Sequence, residues 1–382
     1  MKKIRLAIVR TSAGSLDTSA YNIQEIGLAK GLLNFNISTD IYSKFKDIKD
    51  ITVIDSKDEF NIRLIPLKGI VILGKITYFP GLIKKLTNYD IVQVHEDSQL
   101  MTPLILIACR KQSIKTILYQ GMYTNYSKFN RLYQIIFDFI FKAQIQRNSK
   151  YILAKTEFAQ KYLINKGYRN VNVLPVGLDL KKNIIKCSLD KEILTFKSDF
   201  QYVLLYVGKI ESRRNPLFLI DILYSLKELG LNVGLIVVGD GPLKISMVNY
   251  AHKKSVMDQL LLITSIPNNE IYDVFKKSDV VLLPSNNEIY GMVVLEALLN
   301  GIPVIATPEA GPISILQNKI LGTCLPLNVD NWVNAIQFYF RNTQNQRNKL
   351  YRIRSIMKNY NWEFIANKYY KLIVENENSS NK

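Results

Sequence analysis

The stretch that decides the fold is DVVLLPSNNEIYGMVVLEALLNGIPVIATPEAG, residues 279–311. DVVLLP (279–284) is an apolar run stopped by proline, the pattern of a strand buried on both faces. The run from Met292 to Asn300 is helical, and Gly301 ends it. IPVIAT (302–307) is a second buried strand. Strand, loop, helix and strand in that order indicate a parallel sheet covered on both faces. Glu288 lies in the loop after the first strand, and Glu296 follows eight residues later on the helix. Gly291 opens that helix, whose free amides and dipole form an anion site. A carboxylate beside a bound phosphate would be repelled, but one accepting hydrogen bonds from sugar hydroxyls next to it would be useful. Sugar phosphates and nucleotide sugars satisfy both demands.

The same alternation runs along the chain. YVLLYVG (202–208) and GLIVVG (234–239) are strands, the second ending in the turn Gly239-Asp240-Gly241-Pro242. The helix between them runs 216–229, with Pro216 in its first turn and Gly230 just past its end. Earlier, IRLAIV (4–9) is a strand followed by the loop TSAGSLDTS and a helical pattern, AYNIQEIGLAKGLLNF. Further strands are expected at 91–94, 116–119 and 171–175. The interval 181–200 is polar without a clean period and reads as a linker. The expected plan is therefore two doubly wound α/β domains facing each other. An N-terminal domain spans 1–180 and a C-terminal one 201–355; a helix over 356–375 returns to the first domain, and a disordered tail spans 376–382. In such sheets ligands bind beyond the carboxyl ends of the strands. His95, Gln120, Gly208, Gly239 and Glu288 each fall just after a strand and are expected to line one cleft between the domains.

The 382 residues carry 50 Lys plus Arg against 32 Asp plus Glu, a net charge of +18. Of these, 26 basic and 14 acidic residues lie in 1–180, so the surplus sits mostly on the first half. An anionic partner is implied: phosphates, nucleic acid or an acidic lipid surface. With 48% hydrophobic and 21% charged residues, disorder and low complexity are excluded for the bulk of the chain. Three scattered cysteines, Cys109, Cys187 and Cys324, show neither a disulfide framework nor zinc spacing and fit a reducing compartment. The apolar run at 6–9 is too short for a signal peptide, and nothing approaches the roughly 18 apolar residues of a spanning helix. The expected location is the cytosol, free or peripheral on the inner face of the membrane.

The segment 279–311 resembles the retaining glycosyltransferases of family four, which have the GT-B fold of two facing Rossmann-like domains. Their frame, P-S-x-x-E-G-F-G-L-x-x-x-E-A-x-x-x-G-x-P-V, is met here by Pro284, Ser285, Glu288, Gly291, Glu296, Ala297, Gly301, Pro303 and Val304. It departs at Ile289, where the family has glycine, and at Tyr290 for phenylalanine. YVGKIESRRNPL (206–217) is similar to the family's V-G-R-x-x-x-x-K-G, with Lys209 in place of arginine and Arg214 in place of lysine. The turn Gly239-Asp240-Gly241-Pro242-Leu243 resembles its G-x-G-P-L. DIVQVHED (90–97) resembles a D-x-x-x-x-H-E segment and supplies His95. Gln120 stands where the family often has a second histidine, and Gly14 is one glycine of a usual pair. Asn361-Trp362-Glu363 is similar to the start of the returning helix.

The resemblance implies transfer of a sugar from a nucleotide diphosphate to an acceptor hydroxyl with retained configuration, without a metal or other cofactor. Lys209 and Arg214 would clamp the donor diphosphate and stabilise the leaving group. Glu288 would hold donor sugar hydroxyls, Glu296 the ribose hydroxyls, and His95 would line the reacting centre. Gly14, Gly208, Gly239, Gly241, Tyr290, Gly291, Met292 and Gln120 would border the donor. The implied acceptor is a surface-glycan or lipid-linked saccharide. Residue by residue, other readings stand beside these: a lone histidine after a strand can be structural, and the basic turn at 209–214 can be a solvated one. A catalytically degenerate module that binds a sugar nucleotide or a membrane is the competing reading of the whole.

Residues 61–86 hold five bases and no acid, and 110–150 hold eight bases and one acid, Asp138. YSKFNRLYQIIFDFIFKAQIQR (126–147) joins a broad apolar face to basic ends. It reads either as a core helix with a solvated basic rim or as a helix lying in an anionic membrane interface. No nucleic-acid motif is present, so nucleic acid is not an expected partner.

Overall fold

The computed structural model describes residues 3–12, 14–18, 23–73, 76–96, 98–125, 128–180, 186–342 and 345–375. The chain divides into two compact units, one of residues 1–179 with 360–382 and one of residues 180–359.

The first unit runs β1 (Ile4–Arg10), α1 (Gln24–Leu33), β2 (Ile37–Ser43), β3 (Thr52–Lys57), β4 (Phe60–Pro66), β5 (Ile70–Leu73), β6 (Ile76–Tyr78), α2 (Leu82–Lys85), β7 (Ile91–His95), α3 (Met101–Lys111), β8 (Lys115–Gln120), α4 (Lys128–Asn148), β9 (Tyr151–Ala154), α5 (Glu157–Asn165) and β10 (Val171–Val173). Eight strands form one sheet in the order β10-β9-β8-β7-β1-β2-β4-β3. All pair in parallel except β3, which is antiparallel to β4; β5 and β6 make a separate antiparallel pair. Leu6 to Val9 of β1 are wholly buried, as expected of a central strand with helices on both faces.

The second unit runs α6 (Asp190–Ser198), β11 (Tyr202–Val207), α7 (Pro216–Glu228), β12 (Val233–Val238), α8 (Lys244–Lys253), β13 (Leu260–Ile263), α9 (Ile271–Lys276), β14 (Val280–Leu283), α10 (Met292–Leu299), β15 (Val304–Ala306), α11 (Ala310–Ile315), β16 (Gly322–Cys324), α12 (Val329–Phe340) and α13 (Gln346–Asn359). Its sheet is parallel throughout, in the order β13-β12-β11-β14-β15-β16. Strand order reverses between β11 and β14, and the loops that follow these two strands face each other there. On one face of the sheet, Trp332 of α12 is fully buried, set edge-on to Phe218 of α7.

Two boundaries differ from the sequence reading. Residues 181–185 of the expected linker lie outside the described residues, but Asp190–Ser198 is the helix α6 and belongs to the second unit. Phe196 and Phe200 pack on each other and over Gly234 of β12, where a Cβ would approach them within 2.6–3.0 Å. Three apolar residues scattered among lysines hid this helix from a composition-based reading. At the other end, the expected helix over 356–375 is divided. α13 stops at Asn359, and α14 (Trp362–Tyr370) starts afresh with the Asn361 side chain accepting from Phe364 N at 2.6 Å. α14 packs on α1 as part of the first unit. The expected tail, 376–382, lies outside the described residues.

Candidate functional site

At the carboxyl edge of the second sheet, the turns after β11 and β12 lie backbone against backbone. Gly208 N donates to Val238 O at 3.0 Å, Ile210 N to Asp240 O at 2.9 Å, and Leu243 N to Ile210 O at 3.0 Å. A Cβ on Gly239 would overlap the carbonyl oxygen of Gly208, and one on Gly241 that of Ile210. Glycine is required here by close approach of two main chains. Tyr206, buried in β11, donates its hydroxyl to Lys209 O at 2.8 Å and fixes the turn from below.

The turn after β11 continues into a loop tied to the one after β14. Asn286 N donates to Arg213 O and Asn215 Nδ2 to Pro284 O, both at 2.7 Å. Arg214 Nη1 donates to Ser285 Oγ at 2.9 Å and to the Glu288 carboxylate. Both partners are largely enclosed, with side chains 18% and 11% exposed. Arg214 Nε is buried with no hydrogen-bond partner among the described residues. Asn287 takes a left-handed φ of 57° just before Glu288, a conformation asparagine tolerates better than most residues. Thus Arg214 and Glu288, separated by 74 positions, meet at the point where the strand order reverses.

Gly291, at φ 76°, is the residue before α10, and no side chain caps that helix start. A Cβ at Gly291 would sit 3.4 Å from Glu288 Cγ, so the helix start and the carboxylate are neighbours. Met292 is half-buried and the Tyr290 ring is buried. Lys209 is exposed and makes no ion pair among the described residues. The structure therefore brings Gly208, Gly239, Gly241, Arg214, Glu288 and Gly291 to one edge of the unit. Glu296 is placed differently from a surface group: it is 0% exposed, and its carboxylate lies inside the unit.

In the first unit, His95 ends β7 and Gln120 ends β8. His95 is 7% exposed and internally committed. Its Nδ1 lies 3.1 Å from Glu25 Oε1, its Nε2 lies 2.8 Å from Gln93 Nε2, and its ring stands edge-on to Tyr119. Gln120 is 1% exposed, and its Oε1 accepts from Gly121 N at 2.8 Å and Met122 N at 3.1 Å. These contacts give both residues structural work at the strand ends. Gly14 is exposed, and a Cβ there would meet nothing within 4 Å.

The sequence reading did not single out Glu25, Arg10 or Lys155. Glu25 is 2% exposed and accepts from Arg10 Nη1 at 2.9 Å. Burial alone would raise the Glu25 carboxyl, but Arg10, His95 and Lys155 outweigh it and hold it well below the usual carboxylate range. Burial pulls both His95 and Lys155 below their ordinary values, against the attraction of Glu25. A signal was available: Glu25 falls on the buried stripe of α1 with Leu28, Ala29 and Leu32, the spacing of a core-facing helix side. A glutamate on such a stripe calls for a buried cation.

Residues 190–354 match the family of glycosyl transferases, group 1. Over 173 residues the chain is 31% identical to the UDP-Gal:alpha-D-GlcNAc-diphosphoundecaprenol alpha-1,3-galactosyltransferase of Escherichia coli, covering 44% of each chain. Across the first curated relatives the match spans 34–58% of their length, about half. A glycosyltransferase from Rickettsia africae has a similar structure, with a TM-score of 0.75 at 16% identity over 98% of this chain and 100% of that one. So has Anabaena Alr3699/HepE in complex with UDP, with a TM-score of 0.72 at 13% identity over 97% of this chain and 100% of that one. At such identities these likenesses carry the fold, which is GT-B. The segment that matches the group 1 glycosyl transferases, residues 190–354, is the one that holds Lys209, Arg214, Glu288 and Glu296.

Proposed function

We propose that the chain is a retaining, metal-independent glycosyltransferase of family four. It would move a sugar from a nucleotide diphosphate to a hydroxyl of a surface-glycan or lipid-linked saccharide, as a peripheral enzyme on the cytoplasmic face of a membrane. The observation that carries this reading is the Arg214–Glu288–Ser285 cluster beside the uncapped start of α10. It sets a cation, a carboxylate and free amides side by side at a topological switch point, which suits a diphosphate joined to a polyhydroxyl ring. The named relatives make a uridine-diphosphate sugar the first donor to try and a lipid-linked saccharide the first acceptor. Among the described residues no helix is long and apolar enough to cross a membrane.

In the proposed step the bond from the anomeric carbon to the β-phosphate oxygen breaks and the acceptor oxygen bonds to the same face of that carbon. The acceptor proton passes to a phosphate oxygen of the leaving diphosphate, so no protein base is needed. Arg214 and Lys209 would offset the charge gathering on the diphosphate, with the amides at Gly291–Met292 adding to them. Glu288 would hold sugar hydroxyls and stabilise the cationic ring carbon. Arg214 would then exchange its contact with Glu288 for one with phosphate.

The test is calorimetric titration with UDP, GDP, ADP and their common sugars, without added metal. The reading expects one nucleotide sugar to bind, with affinity lost in Arg214→Ala and reduced in Lys209→Ala. Its product with a lipid-linked acceptor should carry the donor's anomeric configuration. Binding by none of them would replace it with a non-catalytic GT-B module, a reading to which the enclosed Gln120 and the Ile289 departure already lean.

A further inference from the structure

α4 is apolar on two sides. Gln134, Phe137 and Ile145 face inward at 4%, 3% and 0% exposure and seat the helix on the first unit. On the other side Leu132, Ile135, Ile136, Phe139 and Ile140 are 65%, 56%, 51%, 90% and 52% exposed. Their spacing puts all five on one stripe along the helix. Single exposed apolar residues are ordinary, but a continuous stripe of five marks a surface that is covered in use.

We infer that α4 docks the first unit on an anionic lipid bilayer, its outward stripe entering the boundary between headgroups and acyl chains. Charge selects this occupant. At 100° per residue, Arg131 and Lys142 fall along one flank of the stripe and Arg147 along the other. Asp138 is the helix's sole acid, and it is bound to Lys166 at 2.8 Å. At the C-terminal end of α4, Arg110, Lys115 and Lys150 line a hollow of about 350 Å³, and none of the described residues that line it is acidic. An amphipathic helix with basic flanks lies in an anionic interface with its apolar side about 5–10 Å deep. A second copy fits worse, because a two-fold contact through this stripe would set basic flank against basic flank.

This inference deepens the proposed lipid-linked acceptor and rests on that reading only for the purpose of docking. Its test reads lipid binding, not transfer, so the two can fail separately. The full chain is floated with vesicles of phosphatidylcholine alone and with about one-third phosphatidylglycerol. Binding is expected only to the anionic vesicles, weakened by salt, and reduced about tenfold or more in Phe139→Glu. Phe139→Leu should bind like the parent, and the fluorescence of Phe139→Trp should shift to the blue on adding anionic vesicles. Absence of binding, equal binding to both vesicle types, or undiminished binding by Phe139→Glu overturns the inference. A concentration-dependent dimer that Phe139→Glu dissociates, without vesicle binding, would reassign the stripe to self-association.

Discussion

The Glu288 carboxylate accepts from Arg214 Nη1, which also holds Ser285 Oγ at 2.9 Å, so one guanidinium ties the loop after β11 to the loop after β14. On the proposed reading the pair has two duties, structural in the free protein and chemical once a diphosphate arrives, and substitution separates them. Arg214→Ala leaves an enclosed carboxylate without its cation and should lower stability by about 3 kcal/mol in urea titrations. Glu288→Ala leaves Arg214 its bond to Ser285 Oγ, so it should cost less stability than Arg214→Ala does. Its transfer rate should nevertheless fall by about a hundredfold or more. Equal loss of stability in both variants, or full transfer by Glu288→Ala, would contradict this division.

Gly239 and Gly14 make a matched pair. Both were expected at the donor, but only Gly239 has a main chain against its α-carbon. Gly239→Ala must push the turn after β12 away from Gly208, and should abolish nucleotide binding while costing more than about 2 kcal/mol. Gly14→Ala should change stability by less than about 0.5 kcal/mol and leave donor affinity within twofold. Calorimetry on the two variants checks both statements.

Four strands of the second sheet, β11, β12, β14 and β15, were legible as unbroken apolar runs, as in YVLLYVG and GLIVVG, whereas its edge strands β13 and β16 were not singled out. The residues brought to its carboxyl edge were readable for the same reason, since a strand's end locates the loop that follows it. What escaped includes short strands as well as partnerships between distant residues. β4 alternates apolar and polar residues from Phe60 to Leu64 after the turn at Asp58–Glu59, β3 has only Val53 and Ile54 as its apolar residues, and β5 and β6 form a pair apart from the main sheet. The partnership of Arg214 with Glu288 crosses 74 positions and exists only through strand order. Burial is equally non-local: spacing placed His95 after a strand, but only the packing of Glu25, Gln93 and Tyr119 encloses it.

Trp362 enters a socket of glycines. A Cβ on Gly27 would overlap its indole ring, one on Gly177 would come within 2.7 Å of that ring, and one on Gly31 would meet its carbonyl oxygen at 2.5 Å. Beside the socket, Leu178 N donates to Tyr360 O at 2.6 Å. α14 is thus part of the first unit's core although it comes last in the chain. Trp362→Ala should cost about 3–5 kcal/mol, and Gly27→Ala more than about 2 kcal/mol. Hydrogen exchange should show the loss spreading through α1 and β1 while β11 and β12 stay protected. Protection lost equally in both units would show that they unfold together and that the socket serves the whole chain.

Buried Glu25 and His95, with half-buried Arg10 beside them, should make the first unit sensitive to acid. Glu25 is held below its unfolded value, near 4.3, so the stability it contributes is present above that pH and lost as pH falls toward the folded value. His95 is also depressed, by burial, from an unfolded value near 6.5. Below that pH the unfolded chain binds a proton that the folded one refuses, which again lowers stability as pH falls. The two contributions share a sign, so the unfolding free energy should decline from about pH 6.5 and more steeply below about pH 4.3. His95→Asn should remove the upper part of the decline. Glu25→Gln should remove the lower part while costing about 2 kcal/mol at neutral pH, because Arg10 loses its partner. Urea midpoints across this range decide it: a parent profile flat between about pH 7 and 5, or one unchanged by Glu25→Gln, would mean that the cluster does not titrate on unfolding.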